Sequence, residues 1–83
     1  MRVDTLNAIS QRIYELCALK NLNINSLARK SGVPPTTLKN IVYKNSKNPG
    51  ILTIKLLCDG LEISLYDFFD SDIFRHLEQE DIK

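Results

Sequence analysis

Tryptophan is absent from this chain of 83 residues, histidine occurs once, at His76, and cysteine twice, at Cys17 and Cys58. One histidine and two distant thiols offer no metal-ligand spacing, so no metal is expected. Both cysteines stand in apolar stretches of helical pattern, which reads as two buried free thiols rather than a disulfide. At 43% hydrophobic and 25% charged residues, the composition is that of an ordinary globular domain that folds without a staple. No apolar run approaches the roughly 20 residues that span a membrane, and Met1 to Leu6 has no apolar run of the secretory kind. With free thiols, the chain reads as cytoplasmic and reduced. Catalytic apparatus is missing too: there is no paired-carboxylate cleft, no nucleophile beside a base and no glycine loop to cradle phosphates. The sequence therefore does not read as an enzyme, and neither a cofactor nor a small-molecule ligand is expected. No repeat, low-complexity stretch or linker marks a second domain.

Acid is lacking where base gathers. Lys20, Arg29, Lys30, Lys39, Lys44 and Lys47 follow one another with no Asp or Glu between them. Residues 1–50 hold eight basic and two acidic side chains, net +6, whereas residues 51–83 hold three and eight, net −5. Such a split suits a polyanion partner for the first part and an acidic face elsewhere. Charge alone fits two oppositely charged solvated faces equally well.

The apolar periodicity predicts helices throughout. Asp4 or Thr5 can cap a first helix whose stripe is Leu6, Ile9, Ile13, Leu16, Cys17 and Lys20, with Gln11, Arg12 and Glu15 outside it. Asn23 caps a second helix over 24–30, with Leu27 and Ala28 inward and Ser26, Arg29 and Lys30 outward. Gly32 then stops the helix and turns the chain. Val33 is a buried turn residue, and Pro34-Pro35 opens a third helix to about Tyr43. Asn45 to Gly50 form a loop. A fourth helix covers about 51–61, with Leu52, Leu56 and Leu57 as its expected inner stripe and Ile54 and Leu61 flanking. Ser64 and Asp67 form a capping box for a short fifth helix, with Tyr66, Phe68 and Phe69 expected in the core. Ile73, Phe74 and Leu77 read as one more helical turn or a partner contact. Residues 1–69 are thus one domain and 70–83 an acidic tail or short extra helix.

The informative unit is Leu27-Ala28, Gly32-Val33, Leu38 and Ile41. These positions define a short helix, a tight turn and a second helix crossing it steeply around a small core. Advancing about 100° per residue, Thr36, Lys39, Asn40 and Tyr43 share one outer face of the third helix, while Leu38, Ile41 and Val42 lie opposite. Thr37 falls at the margin. A polar, basic, hydrogen-bonding face at the start of a helix is what a major-groove reader requires. Asn40 can pair with an adenine edge, Thr36 with a base or a thymine methyl, and Lys39 with guanine acceptors or a phosphate.

In the order and spacing of Ser26-Leu27-Ala28-Arg29-Lys30-Ser31-Gly32-Val33, Thr36-Thr37-Leu38-Lys39-Asn40-Ile41, Asn48-Pro49 and the closing segment Leu61 to Phe69, the chain resembles the lambda-repressor and Cro type helix-turn-helix, also called the XRE family. The resemblance implies a compact all-α domain of five helices, with the helix-turn-helix at helices two and three. It implies sequence-specific binding of a double-stranded DNA operator, as a homodimer on a near-palindromic site, in a transcriptional regulator of repressor type. Position by position, Pro35, Thr36, Lys39 and Asn40 fall where that family reads bases. Asn23, Asn25, Thr37, Tyr43, Lys44, Asn45, Ser46 and Lys47 fall where it contacts the DNA backbone.

Four positions depart from the pattern. Ile24 stands where Gln often meets a phosphate, leaving that work to amide groups at Asn23–Asn25. Pro35 cannot hydrogen-bond a base. Lys44 stands where a helix-ending glycine is common, so Asn45 is expected to take the left-handed turn, and Glu62 replaces the usual Gly or Asn after the fourth helix. Ile24 and Pro35 keep open a second reading, a protein-interaction module on the same fold with weak or no specific DNA binding.

Overall fold

The computed structural model describes residues 4–80. Met1 to Val3 at the chain start and Asp81 to Lys83 at the end of the tail lie outside that range. Five helices follow in order: α1, Thr5–Leu19; α2, Ile24–Ser31; α3, Pro35–Val42; α4, Ile51–Leu61; and α5, Leu65–Phe69, with a 3₁₀ turn at Asp72–Arg75 after them. The all-α reading and every expected helix are present.

Asp4, not Thr5, caps α1: its carboxylate accepts the Asn7 N–H at 2.8 Å. Ile9, Ile13, Leu16 and Cys17 are buried as the stripe predicts, joined by Ala8. Leu6 is only half-buried, and Lys20 lies exposed past the helix end. Two polar residues of α1 also reach inward. The buried Ser10 hydroxyl donates to the Val42 carbonyl at 2.6 Å and ties α1 to the end of α3. Arg12, which the stripe placed outside, lies largely covered; its Nε and Nη2 donate to the Phe68 and Asp67 carbonyls, each at 2.7 Å. The guanidinium thereby adds charge-assisted bonds to carbonyls at the end of the short α5.

The inner stripe of α4 differs from the expectation. Ile54, Leu57, Cys58 and Leu61 are buried, whereas Leu52 is 77% exposed and Leu56 45%. The buried set has the spacing i, i+3, i+4, i+7 of an amphipathic face. α4 is apolar on nearly all sides, so periodicity alone did not decide which side turns inward. Packing against α2 decides it. A Cβ on Gly60 would stand 2.9 Å from the backbone nitrogen and the Cβ of Ser31, so the two helices approach as closely as only glycine permits.

α5 keeps its Ser64–Asp67 capping box: the Asp67 N–H donates to Ser64 Oγ at 3.0 Å and the Ser64 N–H to Asp67 Oδ2 at 3.4 Å. Of its three aromatics only Phe68 is core; Tyr66 and Phe69 are exposed, since a helix of little more than one turn turns few side chains inward. The Phe74 ring from the 3₁₀ turn packs edge-on to Phe69, with centroids 5.0 Å apart, and rests against the core. The additional turn read at Ile73–Phe74 is therefore present. Arg75 bridges Asp72 at 2.6 Å and Asp70 at 3.3 Å.

Candidate nucleic-acid interface

The turn between α2 and α3 follows from a few residues. Asn23 caps α2 through a reciprocal box with Ser26: the Ser26 N–H donates to Asn23 Oδ1 at 2.8 Å, and the Asn23 N–H donates to Ser26 Oγ at 2.9 Å. At the other end Gly32 takes φ +73°, the left-handed conformation that ends the helix. Val33 is buried, and Pro34 holds an extended backbone that admits Pro35 as the first residue of α3. Leu27, Ala28, Val33, Leu38 and Ile41 then close one small core beneath the two helices.

That core fixes the orientation of α3. Leu38, Ile41 and Val42 are buried; Pro35, Thr36, Thr37, Lys39, Asn40 and Tyr43 are exposed, the marginal Thr37 included. Among the described residues, no side chain on this outer face hydrogen-bonds to another part of the protein, so its donors and acceptors are uncommitted. The carbonyl of Asn40, by contrast, is occupied. It accepts the N–H groups of Asn45 at 2.8 Å and Ser46 at 3.0 Å, folding the following loop back under the helix.

This fold-back corrects the expectation for Asn45. The left-handed residue is Lys44 itself, at φ +63°. Its N–H donates to the Ile41 carbonyl while that of Asn45 reaches Asn40, the paired bonds of a Schellman motif, which places the positive φ one residue earlier. The same motif ends α1 at Asn21 (φ +59°) and α4 at Glu62 (φ +60°), where the N–H groups of Leu22 and Ile63 reach back to Cys17 and Cys58. Leu22 and Ile63 are then packed on the core, an apolar contact that holds a non-glycine residue in the left-handed region. Lys44 has a polar substitute: its Nζ donates to Asn7 Oδ1 at 2.7 Å. Neither Asn7 nor Ser10 carried any signal in the sequence, because both are polar residues on an otherwise apolar helix side.

At the start of α2, Ile24 is packed against the core and Asn23 is engaged in its capping box. The amide groups of Ile24 and Asn25 remain at the helix end, and the Asn25 side chain is exposed. Ser46 is half-buried; Asn45 and Lys47 are exposed beside it.

The charges are disposed unequally. Lys55 pairs with Asp59, Arg75 with Asp70 and Asp72, and Arg12 with Glu15. Among the described residues, none of the six basic residues from Lys20 to Lys47 forms an ion pair. All six are exposed. Their charge is thus directed at solvent. Cys17 and Cys58 are free and buried. Burial pushes both thiols up; at Cys58 the neighbouring Asp59 adds to this, Lys55 opposes it, and Asp67 adds a smaller push. No helix among the described residues is long and apolar enough to cross a membrane.

An all-helical domain with a short helix, a glycine turn and a proline-started second helix carrying a polar outer face is a helix-turn-helix domain. The Cro/C1-type HTH DNA-binding domain family matches residues 12–72, and the chain belongs to that family. Among solved structures, the crystal structure of the prophage Lp1 protein 11 is similar to this chain at 32% identity and a TM-score of 0.78, covering 93% of this chain and 100% of that one. None of the curated proteins matches. The protein is a DNA-binding regulator of this class.

Proposed function

We propose that the chain is a sequence-specific, double-stranded DNA-binding transcriptional repressor that lays α3 in the major groove and binds as a homodimer. One observation carries the reading. The outer face of α3 is exposed and internally uncommitted, and it stands among basic residues that form no ion pair among the described residues. Thr36, Lys39 and Asn40 reach base edges, Asn40 reading adenine bidentately, while Pro35 contributes shape and apolar contact. Thr37, Tyr43, Lys44, Asn45, Ser46 and Lys47 grip phosphates, together with the amide groups of Ile24 and Asn25 that the Asn23 cap leaves at the helix end. A repressor needs only occupancy of its site, which suits a domain whose exposed polar chemistry is concentrated at one DNA-facing surface. The similarity to a prophage protein supports an operator of prophage type. Residues 1–69 form the DNA-binding unit and 70–83 its acidic appendage, and no small-molecule ligand is required.

Dimerisation is needed to read two half-sites. The exposed Leu52 and Leu56 on α4 are the supporting surface: two large apolar side chains one turn apart, with the Lys55–Asp59 pair beside them. A two-fold axis over such a face sets apolar against apolar and lets each charge meet its opposite on the mate.

The test is binding to a duplex selected from a random pool, measured at two salt concentrations. Affinity falls steeply with salt, and Lys47→Ala weakens all sequences alike while lowering the magnitude of the log–log salt slope by about 1. Salt-independent affinity would instead favour the protein-interaction module, a reading that the inward-packed Ile24 and the occupied Asn23 side chain support.

A further inference from the structure

The acidic tail of the chain returns to the start of α1 through a side-chain hydrogen bond. The Thr5 hydroxyl, at the first residue of α1, donates to Glu80 Oε2 at 2.6 Å, a contact 75 residues apart in sequence. Glu80 there lines a groove of about 340 Å³ together with the start of α1, at Thr5 and Leu6, and the loop Lys47–Pro49. We propose that Glu80 is a built-in competitor for DNA phosphate, an acidic strap that lowers the affinity of the loop assigned above to the DNA backbone. The inference rests on that assignment.

Three features place a carboxylate here. The first turn of α1 contains no acidic residue, so among the described residues the Asp4 cap and Glu80 supply the counter-charge at the positive end of this helix of 15 residues. The Thr5 hydroxyl supplies a directed hydrogen bond. Lys47 lines the same groove and has no ion-pair partner among the described residues. A carboxylate and a phosphate oxygen present the same chemistry to this surface, negative oxygens that accept hydrogen bonds. Glu80 therefore stabilises the free protein at the place where a phosphate would stabilise the complex. Its charge also repels an approaching backbone across a distance that salt screens only partly at low ionic strength. Glu78, exposed in the same segment, adds to the repulsion. The strap sets how much positive charge the loop offers and so tunes affinity without touching the reading face.

The experiment uses the full chain and the duplex selected above, with fluorescence anisotropy at about 50 mM and about 300 mM salt, between which screening changes strongly. Glu80→Gln keeps the side-chain shape and an acceptor for Thr5 but removes the charge. Binding is expected to tighten about two- to fivefold at the lower salt and by less at the higher, in line with screened Coulomb interaction. Glu62→Gln makes the same change of net charge at the far end of α4 and is expected to leave affinity nearly unchanged. In a Lys47→Ala background the gain from Glu80→Gln is expected to shrink, which shows that the two residues are coupled. No gain from Glu80→Gln, or an equal gain from Glu62→Gln, overturns the strap while Lys47→Ala still weakens binding. If Lys47→Ala has no effect on any duplex, the assignment of the loop fails and the strap with it.

Discussion

α3 and α4 both present an outer face to solvent, and the two faces have opposite chemistry. On α3 the exposed residues include Thr36, Thr37, Lys39 and Asn40, with Tyr43 just past its end, polar groups held outward by Leu38 and Ile41 beneath. On α4 they include Ile51, Leu52 and Leu56, apolar groups backed by Ile54, Leu57, Cys58 and Leu61. The difference separates two ways of using a surface. Polar side chains with no internal partner discriminate between partners through hydrogen bonds, because a wrong partner leaves them unpaired. Apolar side chains gain from any complementary burial and so suit a fixed mate.

The sharpest test of this contrast lies within α4. Leu57→Ala is expected to cost about 2–5 kcal/mol of stability, as large-to-small changes at enclosed sites do. Leu52→Ala, on the other side of the same helix, is expected to change the monomer by less than about 0.5 kcal/mol. Urea denaturation of the two variants checks the order, and equal costs would mean that the inner face has been misassigned. The double change Leu52→Lys with Leu56→Lys separates the faces functionally. Sedimentation is expected to show loss of the dimer, with weaker binding to a two-half-site duplex and little change on a single half-site. The smallest effect concerns the helix ends. Lys44→Gly and Glu62→Gly each relieve a left-handed backbone and are expected to raise stability by about 1 kcal/mol in thermal unfolding. The gain at Lys44 is expected to be the smaller, because its bond to Asn7 is lost.

The same contrast explains what could be read from the sequence. The α2–α3 unit was legible because its signals are local and redundant: a cap at Asn23, Gly32 with its left-handed turn, two prolines, and a polar face set against Leu38 and Ile41. The inner face of α4 was not, because leucines at 52, 56 and 57 and isoleucines at 51 and 54 let several faces qualify. The deciding contact, Gly60 against Ser31, joins residues 29 positions apart. The left-handed conformation of Lys44 was misplaced by one residue for a similar reason. It depends on which carbonyls of α3 the loop amides reach, and on Asn7 in a different helix. The roles of Ser10, Arg12 and Glu80 are long-range polar contacts, which leave no periodic trace.

The central claim is that the outer face of α3 reads sequence. Its most direct measurement compares the chain with its Asn40→Ala variant on a selected operator and on single-base variants of that operator, at two salt concentrations. Asn40→Ala is expected to lose about 1–3 kcal/mol on the operator, to relax discrimination at one base pair and to leave the salt slope unchanged. Equal binding by both proteins to the operator and its variants would contradict it.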